Sequence, residues 1–280
     1  MIAAPDTNLK VAQLPVKESL VHDCIMYNGE DDLLRMHLGV EDPVVDHFVI
    51  VESTHTFRGT LKNKLYFSME HFPEWERKIT YAVCGPISTN PWENEHHQRR
   101  WARNYLDAAD HDIVLVSDAD EIADPVWIKD YNPYLGIILT FDTWTYYYYL
   151  DFQMDPQEIT SCRSIVMAPA YLATDLQSLR EMRLGTATVK AGWHFSYLGG
   201  IAAIRKKIES FSHAEFDVDY YKDEKHLSQA LLQKTDLFDR PGIGFKHVPV
   251  RYPTHPYWLL DNLAEYRKYL SPEAVTSEDV

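Results

Sequence analysis

Two aspartates, two positions apart, follow a short apolar run near the middle of the chain. Ile113 to Val116 are four consecutive β-favouring residues, which is typical of a strand covered on both faces. Asp118 and Asp120 follow it, and alternate residues of an extended chain project to the same side. Such paired carboxylates suit Mg²⁺ or Mn²⁺, which can bridge the phosphates of a nucleotide. The pattern predicts a metal-dependent site acting on a diphosphate leaving group, although these acids could instead cap the turn at Asp124-Pro125.

The segments before this motif predict the opening of an α/β domain. Leu20 to Tyr27 reads as a strand, Glu30 to Val40 as an amphipathic helix, and Val44 to Glu52 as a second strand. Ile79 to Val83 is a further predicted strand. Open α/β sheets bind ligands beyond the carboxyl ends of their strands. We therefore expect a mixed, mostly parallel central sheet flanked by helices, with the aspartates at its ligand-binding edge.

Another acid, Glu52, ends the second predicted strand. It precedes the polar loop Ser53 to Lys64, which could hold a sugar nucleotide with Lys62 or Lys64 near its phosphates. The alternative is an ordinary solvated connection.

A basic cluster lies on the helix that is predicted from Asn90 to about Asp110. Pro91 suits the first helical position, and Arg99 and Arg103, four residues apart, share a face. This cluster could contact the phosphates of a donor, or it could pair with acids of the same helix.

The carboxyl-terminal half supplies further candidates for acid–base and metal chemistry. Leu135 to Leu150 is predicted to form two β-rich pieces, whose aromatic side chains could stack on a sugar or fill the core. Asp142 lies among them as a possible base. His194, in a segment rich in aromatic residues and glycine, could complete a metal shell or contact phosphate, or it could be a buried structural histidine. His213 and Glu215 form a candidate pair after the predicted helix Ile201 to Phe211.

Composition limits the classes of partner. The 280 residues are 45% hydrophobic and carry a formal net charge of -15, which argues against a nucleic-acid or anionic-membrane surface. The three cysteines lack metal-binding or disulfide spacing. No signal peptide or membrane span is seen, so we expect a cytoplasmic protein. We also expect residues 1–18 to form a flexible arm and residues 19–280 to form one domain.

Five segments together resemble glycosyltransferase family 17, whose best-known member adds the bisecting N-acetylglucosamine to N-glycans. They occur in family order, and they are Asp23 to Leu38, Pro43 to Gly59, Asp112 to Ile122, Ala191 to Gly199 and Lys207 to Glu215. The resemblance implies a GT-A-like nucleotide-sugar-binding fold, a UDP-sugar donor and inversion at the anomeric carbon. The chain departs from the animal enzymes in showing no amino-terminal membrane anchor.

The resemblance also implies roles for particular residues. Asp118 and Asp120 match the motif that binds the metal and the donor diphosphate, with Asp120 the better candidate for metal contact. Glu52 matches an acid that faces the nucleotide, and His194 and His213 lie in the two carboxyl-terminal motifs.

The leading hypothesis is transfer of N-acetylglucosamine from UDP-GlcNAc to a carbohydrate hydroxyl. A divalent metal, Mn²⁺ or Mg²⁺, would be held by Asp118, Asp120, His194 and His213, and the donor by Glu52, Lys62, Arg99, Arg103 and Asp118. An inverting reaction needs one base, for which the candidates are Glu215, Asp142 and Glu121, in that order. The alternatives are a metal-dependent phosphohydrolase or nucleotidyltransferase, and a carbohydrate-binding protein without turnover.

Overall fold

Four short apolar strands form a parallel half-sheet whose carboxyl ends lie along one edge. The computed structural model describes residues 19–155, 162–182 and 187–276. The strands β1 (Val21–Tyr27), β2 (His47–Ser53), β3 (Ile79–Cys84) and β4 (Ile113–Asp118) are arranged in the order β4-β1-β2-β3. Tyr27 is paired with Glu52, and Met26 with Asp118. The edge that the sequence predicted as the ligand site therefore carries both strand-end acids.

The rest of the sheet is antiparallel or mixed. Its strands are β5 (Glu121–Ile122), β6 (Leu139–Tyr147), β7 (Phe152–Asp155), β8 (Cys162–Pro169), β9 (Ala187–Ser196) and β10 (Gly244–His247). β8 runs antiparallel to both β4 and β6 and so joins the two halves, while β9 is parallel to β6 and antiparallel to β5. β7 pairs with β6 and β10 at the far edge. The predicted α/β class with a mixed central sheet is confirmed.

Helices cover both faces of the sheet. They are α1 (Asp31–Glu41), α2 (Pro91–Trp101), α3 (Pro125–Lys129), α4 (Leu176–Glu181), α5 (Gly200–Ser210), α6 (Asp219–Lys222), α7 (Glu224–Gln233), α8 (Tyr257–Asp261), α9 (Leu263–Tyr266) and α10 (Pro272–Thr276). Ile25 of β1 belongs to the same buried cluster as Leu34 of α1, whereas its neighbour Cys24 belongs to the cluster that contains Leu176 of α4. Alternate residues of the strand thus pack against helices on opposite faces.

One predicted helix is shorter than expected. The helix predicted to reach Asp110 ends at Trp101 and continues only as a 3₁₀ turn, Ala102–Tyr105. Buried Leu106 then takes an extended conformation, and its carbonyl accepts a hydrogen bond from Arg103. The carboxyl-terminal segment forms α8, α9 and a 3₁₀ turn, Arg267–Tyr269, with the non-helical residue Asn262 between α8 and α9.

We propose that residues 19–280 form a single domain, because one sheet contains all ten strands of the described ranges. The predicted flexible arm, residues 1–18, lies outside the described residues. Among the described helices, none is both long and apolar enough to cross a membrane.

Buried His255 anchors the carboxyl-terminal segment to the sheet. Its Nε2–H donates to the carbonyl of Leu150 at 2.8 Å, and its Nδ1 accepts from the backbone N–H of Arg251 at 3.4 Å. The ring also packs against Tyr146, with centroids 4.7 Å apart. This bonding pattern requires a neutral imidazole, since Nδ1 has no proton to donate.

Lowering the pH should destabilise the protein through His255. Burial lowers the pKa of His255 from 6.5 to about 4. Between these two values the unfolded chain binds a proton that the folded protein does not, so the free energy of unfolding decreases as the pH falls. The contribution is absent above about pH 6.5 and reaches about 2 to 3 kcal/mol near pH 4.5.

Urea unfolding of the wild type and of His255→Asn at about pH 7.5 and about pH 4.5 measures this contribution. The wild type should lose about 2 to 3 kcal/mol more than the variant between the two conditions. Equal losses in the two proteins would contradict the assignment.

Candidate active site

The carboxyl ends of β1 and β4 open into a cleft with a volume of about 550 Å³. Its walls come from the ends of these strands, from α2, α4, α5 and the end of β9, and from residues 210–213. Asp118 and Asp120 both line this cleft, so the structure brings the two aspartates to one space.

Backbone hydrogen bonds hold the Asp118-Ala119-Asp120 turn. The N–H of Ala119 donates to the carbonyl of Met26 at 3.0 Å, and the carbonyl of Asp120 accepts from the N–H of Phe195 at 2.9 Å. The N–H of Asp118 donates to the carboxylate of Glu121 at 3.0 Å. The turn is therefore tied to β1 on one side and to β9 on the other.

A fully buried ionisable network supports this turn from behind. His37 Nε2 lies 2.8 Å from Asp23 Oδ2 and 3.2 Å from Glu41 Oε1, and its Nδ1 is 3.4 Å from the carbonyl of Ala119. Glu41 also accepts from the N–H of Ala123 at 2.7 Å. Although burial lowers the pKa of His37, Glu41 and Asp23 raise it well above its usual value, while burial raises the pKa of Glu41 to about 7. The network thus joins α1 to the backbone on both sides of Asp120.

Asp118 is held by two arginines from different helices. Arg99 Nη2 lies 3.2 Å from Asp118 Oδ1, and Arg180 Nη2 lies 3.6 Å from Asp118 Oδ2. Arg180 also pairs with Glu121 at 2.8 Å, and Arg99 with Glu95 at 3.2 Å. Burial raises the pKa of Asp118, but the two guanidinium groups outweigh burial and lower it below its usual value. Asp118 is therefore ionised at neutral pH.

Asp120 faces a different cation, Lys207 of α5. Lys207 Nζ lies 2.6 Å from Asp120 Oδ2 and also donates to Ser196 Oγ at 3.0 Å. His194 Nε2 lies 3.6 Å from the same carboxylate oxygen. Burial again raises the pKa of Asp120, but Lys207 and His194 together lower it well below its usual value. One carboxylate of the motif thus faces rigid arginines, and the other faces a flexible lysine and an imidazole.

The cleft has a composition that could hold a divalent cation. Five carboxylates and three cationic side chains line it: Glu30, Glu95, Asp118, Asp120, Glu121, Arg99, Arg180 and Lys207. With the histidines counted as neutral, these side chains give two negative formal charges in excess. Ligand atoms of Asp120, Glu121 and His194 lie within 4.8 Å of one another. Oxygen and imidazole donors in this number suit Mn²⁺ or Mg²⁺.

Glu52 and Lys62 organise a loop. The Glu52 carboxylate accepts from the backbone N–H groups of Tyr66, at 2.9 and 3.1 Å, and of Phe67, at 3.1 Å, and from the Tyr81 hydroxyl at 2.9 Å. Lys62 Nζ lies 3.4 Å from it. Glu52 is fully buried beneath this loop, so we propose that it positions the loop and does not contact a nucleotide.

Three other candidates lie apart from the two aspartates. Arg103 donates to the carbonyl of Leu106 beyond the end of α2. Asp142 lies on β6, where it pairs with Lys190 at 3.4 Å. Glu215 pairs with His213 at 2.7 Å, and its side chain is 58% exposed.

His213 lies on the wall of the cleft, against Trp92, with ring centroids 4.6 Å apart. Trp92 is partly exposed and lines the same wall. Of the predicted metal ligands, Asp118 and Asp120 are held by the ion pairs described above and His194 lies beside Asp120, while His213 belongs to this aromatic wall.

Sequence reasoning missed Arg180, Lys207 and Glu30 as site residues. Lys207 and Glu30 lie within segments that resemble the family, which could have drawn attention to them. Arg180 lies on α4, a six-residue helix in a part of the sequence without a clear periodic pattern, so no comparable signal was present.

Replacing Arg180 should destabilise the protein strongly. Arg180 and Glu121 are 3% and 4% exposed, and Arg180→Met would leave the Glu121 carboxylate buried without its cation. We expect a loss of about 3 kcal/mol in the free energy of unfolding, measured by urea denaturation.

The matched control is Arg100→Met. Arg100 pairs with Asp175 at 3.1 Å, but both side chains are partly exposed, so the loss should stay below about 1 kcal/mol. Similar losses of unfolding free energy in Arg180→Met and Arg100→Met would show that the buried pair of Arg180 and Glu121 does not stabilise the protein more than an exposed pair.

Comparison with known proteins gives a family for the chain. The search of curated proteins finds no match. Among solved structures, the chain is similar to the crystal structure of 4-diphosphocytidyl-2C-methyl-D-erythritol synthase, with 13% identity over 62% of this chain and 90% of that chain and a TM-score of 0.36. The model of glycosyltransferase family 17 matches residues 9–247, which is most of the chain. The resemblance predicted from sequence is thereby confirmed, and the chain belongs to glycosyltransferase family 17, whose members are glycosyltransferases.

Proposed function

We propose that the protein transfers N-acetylglucosamine from UDP-GlcNAc to a hydroxyl of a glycan, with inversion, on a GT-A-like fold. The observation that carries the proposal is the cleft at the carboxyl ends of β1 and β4, where Asp118 and Asp120 face cationic side chains. Family membership supports a glycosyltransferase, and this arrangement supports a donor that carries a diphosphate. Family naming supports N-acetylglucosamine as the sugar.

Arg99 and Arg180 are suited to bind and orient the donor diphosphate. Their side chains are both 3% exposed and are fixed by carboxylates, so their donors are held in place before a ligand arrives. A guanidinium group held in this way can stabilise charge on phosphate oxygens with little reorganisation. We propose that these two arginines, and not Arg103, provide the basic contact predicted from the sequence.

Asp120 and His194, with Glu121 beside them, are the proposed metal-binding residues. A divalent cation bound there would neutralise the charge that develops on the departing UDP. Asp118, held by Arg99 and Arg180, orients the phosphate-binding side of the cleft.

Lys207 provides a positive charge that can move between partners. It is bound to Asp120 in the structure, but its long stem allows the ammonium group to reach another anion in the cleft. We propose that it leaves Asp120 for a donor phosphate when the donor binds.

Calorimetric titration of UDP and UDP-GlcNAc tests the donor site. With Mn²⁺, the wild type should bind both ligands, and EDTA should abolish binding. Asp120→Asn should weaken binding about 10- to 100-fold, because one charged contact is worth roughly 1.5 to 3 kcal/mol. Asp155→Asn is the control, since that acid pairs with Lys246 on the exposed end of β7.

The outcomes distinguish the rival functions. Unchanged binding in Asp120→Asn would contradict the assignment of this carboxylate. Release of phosphate from UDP without a sugar acceptor would support a phosphohydrolase, and glycan binding that persists in EDTA without any turnover would support a carbohydrate-binding protein.

Replacing Lys207 should change metal binding and nucleotide binding in opposite directions. In Lys207→Met, Asp120 loses the cation at 2.6 Å, so Mn²⁺ alone should bind more tightly. UDP should bind more weakly, because a phosphate contact is lost. Titration of Mn²⁺ followed by UDP measures both effects.

Lys206→Met is the matched control for metal binding. This neighbour lies over the Tyr66 ring, at 4.2 Å, and not against Asp120. Its Mn²⁺ affinity should equal that of the wild type. Weaker Mn²⁺ binding in Lys207→Met would contradict competition between the lysine and the metal.

A further inference from the structure

A second, smaller cleft adjoins the first. Its volume is about 260 Å³, and it lies between the start of α1 and the helix α5. Five residues line both clefts, so the two spaces share a wall; they are Asn28, Glu30, Tyr197, Lys207 and Ser210. The larger cleft contains Asp118, Asp120 and the two arginines, whereas the smaller one does not include them among its lining residues.

We propose, on the basis of the proposed function, that the smaller cleft binds the acceptor sugar and that Glu30, on the shared wall, is the base that takes the proton of the acceptor hydroxyl. The larger cleft holds the donor, so an acceptor in the smaller cleft meets the donor sugar at this wall. Glu30 was not among the bases predicted from the sequence.

The position of Glu30 suits this role. It precedes α1 directly, and the backbone N–H of Asn28 donates to its Oε2 at 2.9 Å, which holds the carboxylate near the strand end. Glu30 and Asp120 line the larger cleft together, and Lys207, which lies 2.6 Å from Asp120, lines both clefts with Glu30, so the proposed base adjoins the proposed leaving-group site. Burial raises the pKa of Glu30, with Lys207 opposing it, and a raised pKa makes a carboxylate a better proton acceptor.

The other carboxylates near the clefts are engaged elsewhere. Glu121 is bound by Arg180 at 2.8 Å. Asp31 pairs with His71 at 2.9 Å, and Asp32 with Lys268 at 2.6 Å. Asp142 and Glu215, the bases predicted from the sequence, do not line either cleft.

The lining of the smaller cleft favours a neutral sugar. Its charged residues are three acids and two lysines, which give one negative formal charge in excess; they are Glu30, Asp31, Asp32, Lys206 and Lys207. The carboxylates can accept hydrogen bonds from sugar hydroxyls, and the rings of Tyr197 and Tyr269 offer apolar surface. An acidic sugar would meet this negative excess and bind less well.

In the proposed reaction, the acceptor lies in the smaller cleft, the donor lies in the larger cleft, and Glu30 lies between them. The acceptor O–H gives its proton to the Glu30 carboxylate as its oxygen forms a bond to the anomeric carbon. The bond from that carbon to the diphosphate breaks, and UDP leaves with the electron pair. Protonated Glu30 then returns its proton to water. Because the acceptor oxygen attacks the anomeric carbon directly, on the face opposite the departing UDP, no covalent intermediate forms and the anomeric centre inverts.

Glu30→Gln tests the base, with water as the acceptor. UDP release from UDP-GlcNAc in the presence of Mn²⁺ should fall about 100-fold or more, because general-base catalysis contributes roughly 10² to 10⁴. The dissociation constant for UDP, measured by calorimetry, should stay within about twofold of the wild type. Glu30→Asp should restore part of the rate, and the acid limb of the pH–rate profile should be absent in Glu30→Gln.

Glu209→Gln is the matched control for charge and fold. Glu209 lies on the same helix as Lys207 but pairs with Lys222 at 3.5 Å, with its side chain 57% exposed. It should keep the wild-type rate and UDP affinity.

A blocking variant tests the smaller cleft separately. Ala203 lines it from α5, so Ala203→Phe should fill it and leave the larger cleft open. In ligand-observed NMR with UDP and Mn²⁺ present, methyl β-D-glucopyranoside should show saturation transfer with the wild type and none with the variant. The acidic probe methyl β-D-glucuronide should give a weaker signal with the wild type.

Each contrary outcome is informative. A rate in Glu30→Gln within about threefold of the wild type would overturn the base, and a tenfold loss of UDP affinity would show that Glu30 binds the nucleotide and would also overturn its role as the base. Saturation transfer that persists in Ala203→Phe would overturn the acceptor site. If the wild type neither binds UDP nor turns over UDP-GlcNAc, the proposed function fails, and the acceptor site and base fail with it. If the wild type is active and Glu30→Gln is equally active, only the assignment of Glu30 as the base is overturned.

Discussion

The concentration of carboxylates at one edge of the sheet is the constraint on which the rest of the site depends. Asp118, Asp120 and Glu121 lie within four consecutive residues, and burying ionised carboxylates without partners would cost several kcal/mol for each. The chain meets this requirement by bringing Arg99 from α2 and Arg180 from α4 to the same place. Neither helix contains the motif, yet their two arginines compensate the charge of Asp118, while Lys207 of α5 compensates the charge of Asp120.

The same constraint extends into the core behind the motif. Asp23 and Glu41 are both buried within hydrogen-bonding distance of His37, and this network contacts the backbone at Ala119 and Ala123. Such a network costs desolvation, and an apolar core of equal volume could be more stable. The network makes polar contacts to backbone groups of the turn, which apolar side chains could not make. Because His37 and Glu41 belong to α1, the packing of this helix affects both the stability of the protein and the geometry of the turn.

Local sequence pattern was sufficient for the elements whose signals lie within a few residues. The apolar run before Asp118 predicted β4, and the strand–helix–strand pattern predicted β1, α1 and β2. Pattern was insufficient where a buried contact overrides propensity. The predicted helix ends at Trp101 and its 3₁₀ turn at Tyr105, and the next residue, Leu106, is extended with its side chain in the core. The roles of charged residues depend on contacts over long sequence separations. Lys207 is 87 residues from Asp120, and no local periodicity encodes that pairing.

If Glu52 positions its loop, as we propose, a strand-end acid is not by itself a ligand-binding residue. Its position at the end of β2 resembles that of Asp118 at the end of β4, and the two strands flank β1. The two acids differ because the segments after their strands fold differently. The loop after β2 folds back so that its own N–H groups occupy the Glu52 carboxylate, whereas the turn after β4 directs its carboxylates to side-chain cations across a cleft. Backbone donors cannot exchange for a ligand without unfolding the loop, but a lysine on a flexible stem can change partners within the folded protein. We therefore propose that binding of a charged substrate at this edge depends on which acids are neutralised by exchangeable cations.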